Sequence, residues 1–109
     1  MSLSYIDHEG TLILSADYRN CHESFDQLLL LEKMAEELQK HDNPIPLLVD
    51  YRGIDGLTGA QIYMNRLKEL GNTVFKKHRK CAAILGISGI KKLMFSGYLR
   101  ATSSDNVRI

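Results

Sequence analysis

The sequence predicts one α/β domain over residues 1–109, with a mixed, mainly parallel sheet that begins with an antiparallel β-hairpin. Three observations predict this class. The length of 109 residues is that of a single domain. The apolar residues alternate between strand-like runs and helical spacing. The resulting order is β-β-α-β-α-β-α, with a last strand starting at the C-terminal residues, and no repeat or linker divides it.

The N-terminal third is predicted to be a hairpin followed by an amphipathic helix. Residues 5–9 and 11–16 have strand character on either side of a Glu-Gly turn. Ser24 and Gln27 have the spacing of a capping box, which predicts where the helix begins. Its apolar residues recur every three or four positions and predict the buried face, formed by Phe25, Leu28, Leu31, Met34, Ala35 and Leu38.

Two more strand–helix units are predicted. The apolar run at residues 46–50 predicts a central strand buried on both faces, and residues 80–87 predict a second buried strand. Between them lies a helix capped by Thr58, whose predicted inward residues are Ile62, Leu67, Leu70 and Val74. A third helix is predicted from residue 89 to about residue 101, and residues 107–109 begin the last strand.

The charge balance bounds the class of partner. A net charge of +1 argues against non-specific nucleic-acid binding as the main function. Residues 1–57 hold 4 Lys or Arg and 11 Asp or Glu, net −7, whereas residues 58–109 hold 10 and 2, net +8. Two explanations stay open: the halves neutralise each other in the fold, or the basic half forms a surface for an acidic partner.

Cysteine usage and hydropathy predict a cytoplasmic protein. Cys21 and Cys81 have no CxxC spacing and no clustered His, so both are predicted to be free thiols. Cys81 lies in an apolar run and is expected to be buried. Neither a signal peptide nor an apolar run of membrane-spanning length is recognisable. The four histidines lack metal-ligand spacing, so no metal and no cofactor are expected.

Two segments carry a resemblance to a known family. Residues 47–53, Leu-Leu-Val-Asp-Tyr-Arg-Gly, lead through a Gly-rich loop into a helix, and residues 80–86 lead into a Ser-Gly turn and a Lys-bearing helix at residues 88–92. This order resembles the STAS domain, in particular the small stand-alone bacterial STAS/SEC14-like (SpoIIAA-like) proteins. The resemblance covers nearly the whole chain. It implies a non-enzymatic regulatory module, similar to anti-sigma-factor antagonists, that binds a protein partner.

The chain departs from that family at the switch position. Partner-switching antagonists carry an Asp-Ser-Ser/Thr-Gly motif at the start of the helix, where a serine is phosphorylated. This chain reads Gly56-Leu57-Thr58-Gly59, so only Thr58 matches the phospho-acceptor and the preceding acid is missing. The closing amphipathic helix of the family has no counterpart before residue 109, so three alternatives stay open: this cover is absent, truncated, or supplied by a second copy of the chain.

Two strand–helix junctions supply the candidate binding residues. Ligands of open α/β sheets bind beyond the carboxyl ends of strands. The first junction is the predicted partner and switch loop, formed by Asp50, Arg52, Asp55, Gly56, Thr58 and Gly59. The second is a predicted anion site at a helix start, formed by Ser88, Gly89, Lys91 and Lys92. For Thr58 and Ser88 the alternative is an ordinary helix cap, and for Asp50 it is a bond to loop N–H groups.

The remaining features leave alternatives open. The basic run at residues 76–80 suits a helix C-terminus, or else a contact with an acidic protein or anionic lipid. Tyr63 and Met64 cannot both share a narrow buried stripe with Ile62, nor can the aromatic and Met residues at 94–98, so self-association is also open. A small-ligand or lipid-headgroup binder is the second functional hypothesis. An enzyme is not expected, because no convergent acid, base and nucleophile are recognisable.

Overall fold

The computed structural model describes residues 2–21, 23–52, 60–86 and 107–108. Its elements follow the chain as β1 (Ser2–His8), β2 (Thr11–Asp17), α1 (Ser24–Leu38), β3 (Ile45–Asp50), α2 (Ala60–Asn72), α3 (Val74–His78), β4 (Arg79–Leu85) and β5 (Val107–Arg108). The α/β class is therefore confirmed. The helix predicted at residues 89–101 lies outside the described residues.

The strands form one mixed sheet in the order β1-β2-β3-β4-β5. β1 and β2 pair antiparallel, whereas β2–β3, β3–β4 and β4–β5 pair parallel. Glu9 and Gly10 both have positive φ, of 51° and 83°, which a two-residue hairpin turn of this hand requires. Because β2, β3 and β4 run in the same direction, their carboxyl ends meet at one edge of the sheet. The segments leading into α1 and α2 leave from this edge.

The core lies between one face of the sheet and the helices. β2, β3 and β4 each contribute two buried residues to this face, which are Leu14, Ala16, Leu47, Val49, Ala82 and Ile84. α1 packs on them with Leu30, Leu31, Met34 and Leu38, and Leu67, Leu70 and Phe75 complete the layer. The cavity left beside Phe75 is about 20 Å³, roughly the room for one water molecule.

The predicted start of α1 is wrong by one residue. Ser24 is the first helical residue and the N-cap is Glu23, which makes no side-chain cap bond. Gln27 does not complete a capping box: its side chain is buried and its Nε2 donates to the carbonyl oxygen of Cys21 at 2.9 Å. Phe25, predicted inward, is 72% exposed. The buried stripe follows Gln27, Leu30, Leu31, Met34 and Leu38, which leaves Phe25 on the flank of the helix.

The predicted inward face of α2 is also partly wrong. Ile62 is 64% exposed, whereas Tyr63 is buried and forms the stripe with Leu67 and Leu70. α2 ends at Asn72, so Val74 begins α3 instead of ending α2. α3 ends in Lys76, Lys77 and His78, so this part of the basic run lies at a helix C-terminus as predicted, whereas Arg79 and Lys80 begin β4.

The second face of the sheet is more open than predicted. Pro46 and Leu48 are half-buried and Cys81, Ala83 and Leu85 are exposed, so β3 and β4 are not buried on both faces. Successive strand residues point to opposite faces, and in β4 it is Ala82 and Ile84 that face the helices. The expectation that Cys81 is buried is therefore wrong. Both cysteines are free thiols, as predicted.

Candidate functional site

The tripeptide Asp-Tyr-Arg occurs twice, once at the end of β2 and once at the end of β3. The first copy is residues 17–19 and the second is residues 50–52. The parallel register of the two strands pairs Asp17 with Asp50. The two copies therefore lie side by side at the carboxyl edge of the sheet, which is where open α/β sheets bind ligands.

Each aspartate holds the arginine two residues further on. Asp50 accepts the backbone N–H of Arg52 at 2.9 Å, its Nε–H at 3.0 Å and its Nη2–H at 2.8 Å. Asp17 accepts the same three donors of Arg19 at 2.9, 2.9 and 2.7 Å. One carboxylate thus fixes both the turn that leaves the strand and the plane of a guanidinium group.

The two pairs are electrostatically linked. Nε of Arg19 lies 3.8 Å from Oδ2 of Asp50, the carboxylate that also binds Arg52. Hydrogen bonds from Arg52 lower the pKa of Asp50 against the opposing effect of burial, and Arg19 does the same to the pKa of Asp17. All four groups are therefore charged at neutral pH, and their charges sum to zero.

The arginines are the exposed layer of this cluster. The side chains of Arg19 and Arg52 are 55% and 61% exposed, against 26% and 11% for Asp17 and Asp50. A guanidinium has five N–H groups, and each arginine directs two of them to its own carboxylate. The other three on each group make no bond to a residue that the structure describes.

Three buried tyrosines form the base of the edge. The rings of Tyr18 and Tyr51 stack at a centroid distance of 4.7 Å, and Tyr63 of α2 packs edge-on against Tyr18. The hydroxyl of Tyr63 lies 2.6 Å from that of Tyr51 and donates to that of Tyr18 at 2.9 Å. Burial raises the pKa of Tyr18, so it stays protonated. This cluster ties the start of α2 to both strand ends.

The ends of β2, β3 and β4 are also tied through the backbone. The N–H of Tyr18 donates to the carbonyl oxygen of Asp50, and the N–H of Tyr51 donates to that of Leu85, both at 2.9 Å. Gly86 follows with φ of 83°, and a Cβ there would lie 2.5 Å from the backbone nitrogen of Arg52. Only glycine fits at this approach. The arginine edge is therefore built on a closely packed backbone.

Of the predicted site residues, the structure brings Asp50 and Arg52 together. The others of the switch loop, Asp55, Gly56, Thr58 and Gly59, lie outside the described residues, as do those of the anion site, Ser88, Gly89, Lys91 and Lys92. Sequence reasoning missed the first Asp-Tyr-Arg copy and Tyr63. The signal that could have found the first copy is the repeat itself, since each tripeptide follows an apolar strand.

An apolar surface on the second sheet face adjoins the arginine edge. Along β3, Pro46, Leu48 and Asp50 alternate onto this face, and Leu85 is paired with Asp50 across the sheet. A depression of about 510 Å³ opens there, lined by Ile13, Pro46, Leu47, Leu48, Cys81, Ala82 and Ala83. The two aspartates thus lie at the carboxyl end of an apolar, partly exposed sheet surface.

A second apolar surface is the groove between α1 and α2, of about 560 Å³. Phe25 and Ile62 line it near the start of the two helices. Towards the other end, Nη2 of Arg66 donates to Glu32 at 2.7 Å and Nη1 donates to Glu69 at 3.1 Å. Arg66 thereby joins the two helices and, with Glu32 and Glu69, forms a charged rim at this end of the groove.

The described residues hold neither a metal-ligand cluster nor a membrane-spanning helix. Within residues 2–21, 23–52, 60–86 and 107–108, no three His, Cys, Asp or Glu side chains come together as a metal site. No helix in those ranges has both the length and the apolar content needed to cross a membrane. Comparisons with protein-family models, with curated proteins and with solved structures found no match.

Proposed function

We propose that this chain is a non-enzymatic regulatory module that binds a protein partner at the carboxyl edge of its sheet, as in the STAS-like proteins that it resembles. The observation that carries the proposal is the pair of Asp-Tyr-Arg copies, which present two guanidinium groups on a rigid base. The proposal includes the STAS-like order with a third helix before the last strand.

The chemistry of the edge supports binding more than catalysis. Asp17 and Asp50 are engaged by their arginines, which lowers their pKa values and makes them poor general bases at neutral pH. The three phenols are buried and bonded to one another. Among the described groups of the edge, the accessible ones are the arginines, which recognise anionic groups without reacting with them.

The surroundings of the edge indicate the chemistry of the partner. The second sheet face supplies apolar area next to the arginines, and protein interfaces combine an apolar centre with a polar rim in which Arg is enriched. A partner that fits both parts has an acidic or otherwise anionic group beside apolar side chains. Arg19 and Arg52 belong to the acidic half of the chain, so this edge is separate from the basic half that the charge asymmetry offers to an acidic partner.

Partner capture from the native host tests the proposal. Arg19→Gln/Arg52→Gln removes both positive charges of the edge. Lys76→Gln/Lys77→Gln removes two exposed positive charges just before β4 begins, at the end of that strand opposite to the edge. We expect native mass spectrometry to show one partner bound to the wild type and to Lys76→Gln/Lys77→Gln, but not to Arg19→Gln/Arg52→Gln. A partner retained equally by both variants would contradict docking at this edge.

The switch within this proposal has its own test. Thr58→Glu places a negative charge at the predicted phospho-acceptor, and we expect it to weaken the captured complex. Thr58→Ser keeps the hydroxyl and is the matched control. Unchanged affinity of Thr58→Glu would rule out the switch and leave the docking edge in place.

Binding of a small ligand or lipid headgroup is the second candidate function. The exposed arginines favour it, because an anionic ligand could use the same N–H groups. The cavity beside Phe75 holds only about 20 Å³, so such a ligand would lie on the surface with its anionic group at the arginines. A small-molecule adduct on the host-isolated protein, with no protein partner, would favour this function.

A further inference from the structure

We propose that Arg19 and Arg52 together form one binding site for a phosphate group. The inference rests on the proposed function, because it names the group that the carboxyl edge recognises. The site consists of the outward N–H groups of two neighbouring guanidinium groups, held in place by Asp17 and Asp50.

The two guanidinium groups are close enough to share one anion. Both lie against the same atom, Oδ2 of Asp50: Nη2 of Arg52 at 2.8 Å and Nε of Arg19 at 3.8 Å. These two nitrogens therefore cannot be further apart than the two distances placed end to end. Phosphate oxygens accept N–H donors at about 2.8 Å. A tetrahedral anion outside the cluster can thus bridge the two groups.

The groups are also prepared for binding before a ligand arrives. Each guanidinium donates two hydrogen bonds to its aspartate, which fixes its orientation. Each aspartate is the last residue of a strand and also accepts the backbone N–H of the same arginine. Ordering a long side chain on binding costs conformational entropy, and here the aspartates have already ordered both arginines. The tyrosine base adds rigidity below them.

The number of donors, and not the net charge, favours phosphate over carboxylate. Asp17 and Asp50 neutralise the arginines, so binding depends on the three N–H groups of each guanidinium that these aspartates do not accept. A phosphate ester carries about −1.5 to −2 charges at neutral pH and three acceptor oxygens. It can accept hydrogen bonds from the outward N–H groups of both arginines at once. A carboxylate has only two oxygens, which lie in one plane, and reaches both groups less well.

NMR titration of the full chain tests the site directly. Inorganic phosphate and phenyl phosphate are added to the ¹⁵N-labelled protein at fixed ionic strength, and the Nε–H signals of Arg19 and Arg52 are followed. We expect both signals to shift saturably with one shared dissociation constant. Acetate is expected to bind about tenfold more weakly or worse. Absence of saturation with phosphate, or equal affinity for acetate, would overturn the proposal.

Substitutions distinguish the planar donor geometry of the guanidinium groups from their positive charge. Arg19→Lys/Arg52→Lys keeps both charges but loses the planar donors, and we expect phosphate affinity to fall about tenfold or more. Arg19→Gln/Arg52→Gln should abolish binding, while Lys76→Gln/Lys77→Gln should bind as the wild type does. The lysine-for-arginine pair keeps the test valid if the glutamine pair fails to fold. Unchanged affinity in Arg19→Lys/Arg52→Lys would refute a guanidinium site.

A final arm identifies the source of the phosphate. A phosphoserine peptide that binds more tightly than inorganic phosphate, with no binding of its unphosphorylated form, assigns the site to a phosphorylated protein. Equal affinity for the peptide and inorganic phosphate assigns it to a small phosphorylated ligand. If phosphate fails to bind while partner capture still depends on the arginines, the phosphate inference falls and the docking edge stands.

Discussion

Replacing Gly86 by Ala should destabilise the protein and disturb Arg52 at the same time. Gly86 has φ of 83°, a backbone conformation that costs a residue with a Cβ roughly 1–2 kcal/mol. The new Cβ would also lie 2.5 Å from the nitrogen and 2.8 Å from the Cα of Arg52. Backbone atoms cannot rotate away as a side chain can, so β4 must move relative to β3, and we add roughly 1–3 kcal/mol for this overpacking.

Gly10 provides a matched control for this substitution. It has the same φ of 83°, but a Cβ there would have nothing within 4 Å. Gly10→Ala therefore carries the backbone cost of roughly 1–2 kcal/mol alone, whereas Gly86→Ala should lose about 2–5 kcal/mol. The difference between the two free energies of unfolding isolates the cost of the close approach.

Urea unfolding followed by circular dichroism measures both free energies, and the Nε–H signal of Arg52 reports the edge. Gly86→Ala should shift this signal and weaken phosphate binding, because the displaced strand carries the carbonyl group that bonds to Tyr51. Gly10→Ala should leave the signal unchanged. Equal losses of stability in the two variants would refute the reasoning. An unchanged chemical shift of the Arg52 Nε–H signal in Gly86→Ala would refute it as well.

Three further predictions concern the site and its surroundings. Tyr63→Phe removes the hydroxyl shared by two buried phenols and should cost about 2 kcal/mol in urea unfolding, whereas Tyr5→Phe, at an exposed hydrogen bond, should cost less than about 1 kcal/mol. The arginine partners of Asp17 and Asp50 hold the pKa values of both carboxyl groups below the ordinary 3.8. The two Asp–Arg pairs should therefore stabilise the fold fully above about pH 4, and their contribution should disappear as the pH falls through the lower folded-state pKa values. The free energy of unfolding should fall across this acid range, and it should fall less in an Asp17→Asn/Asp50→Asn variant, which lacks both carboxylates. Ile62→Ser, at an exposed position, should change stability by less than about 0.5 kcal/mol; a larger loss would show that the side chain is packed.

Local patterns predicted the elements because their signals lie within a few residues of each other. The hairpin follows from a Glu-Gly turn between apolar runs, and α1 follows from apolar residues spaced three and four apart. The inward face of α2 was harder to predict, since Ile62 and Tyr63 are both apolar enough for a core. Tyr63 is the buried one, and its hydroxyl meets two phenols that lie 12 and 45 residues away in the chain.

The candidate site was only half predicted for a similar reason. Asp50 and Arg52 follow a strongly apolar run that identifies a central strand, which made their position at a strand end predictable. Asp17 and Arg19 follow a strand whose position in the sheet depends on pairing with residues more than 30 positions away. No local period encodes that register. The repeated tripeptide was visible, but the side-by-side placement of its copies required the fold.

The Asp-Tyr-Arg sequence suits a strand end because neighbouring residues in an extended chain point to opposite sides. The tyrosine turns towards the helices and fills the core, while the aspartate and arginine share the other side and pair with each other. Under the proposed function, the tyrosine serves stability and the arginine serves recognition within one tripeptide. Changes at Tyr18 or Tyr51 should therefore act mainly on unfolding, and changes at Arg19 or Arg52 mainly on binding. Two copies in register turn one such arrangement into a surface with two fixed cations, which a single strand end cannot supply.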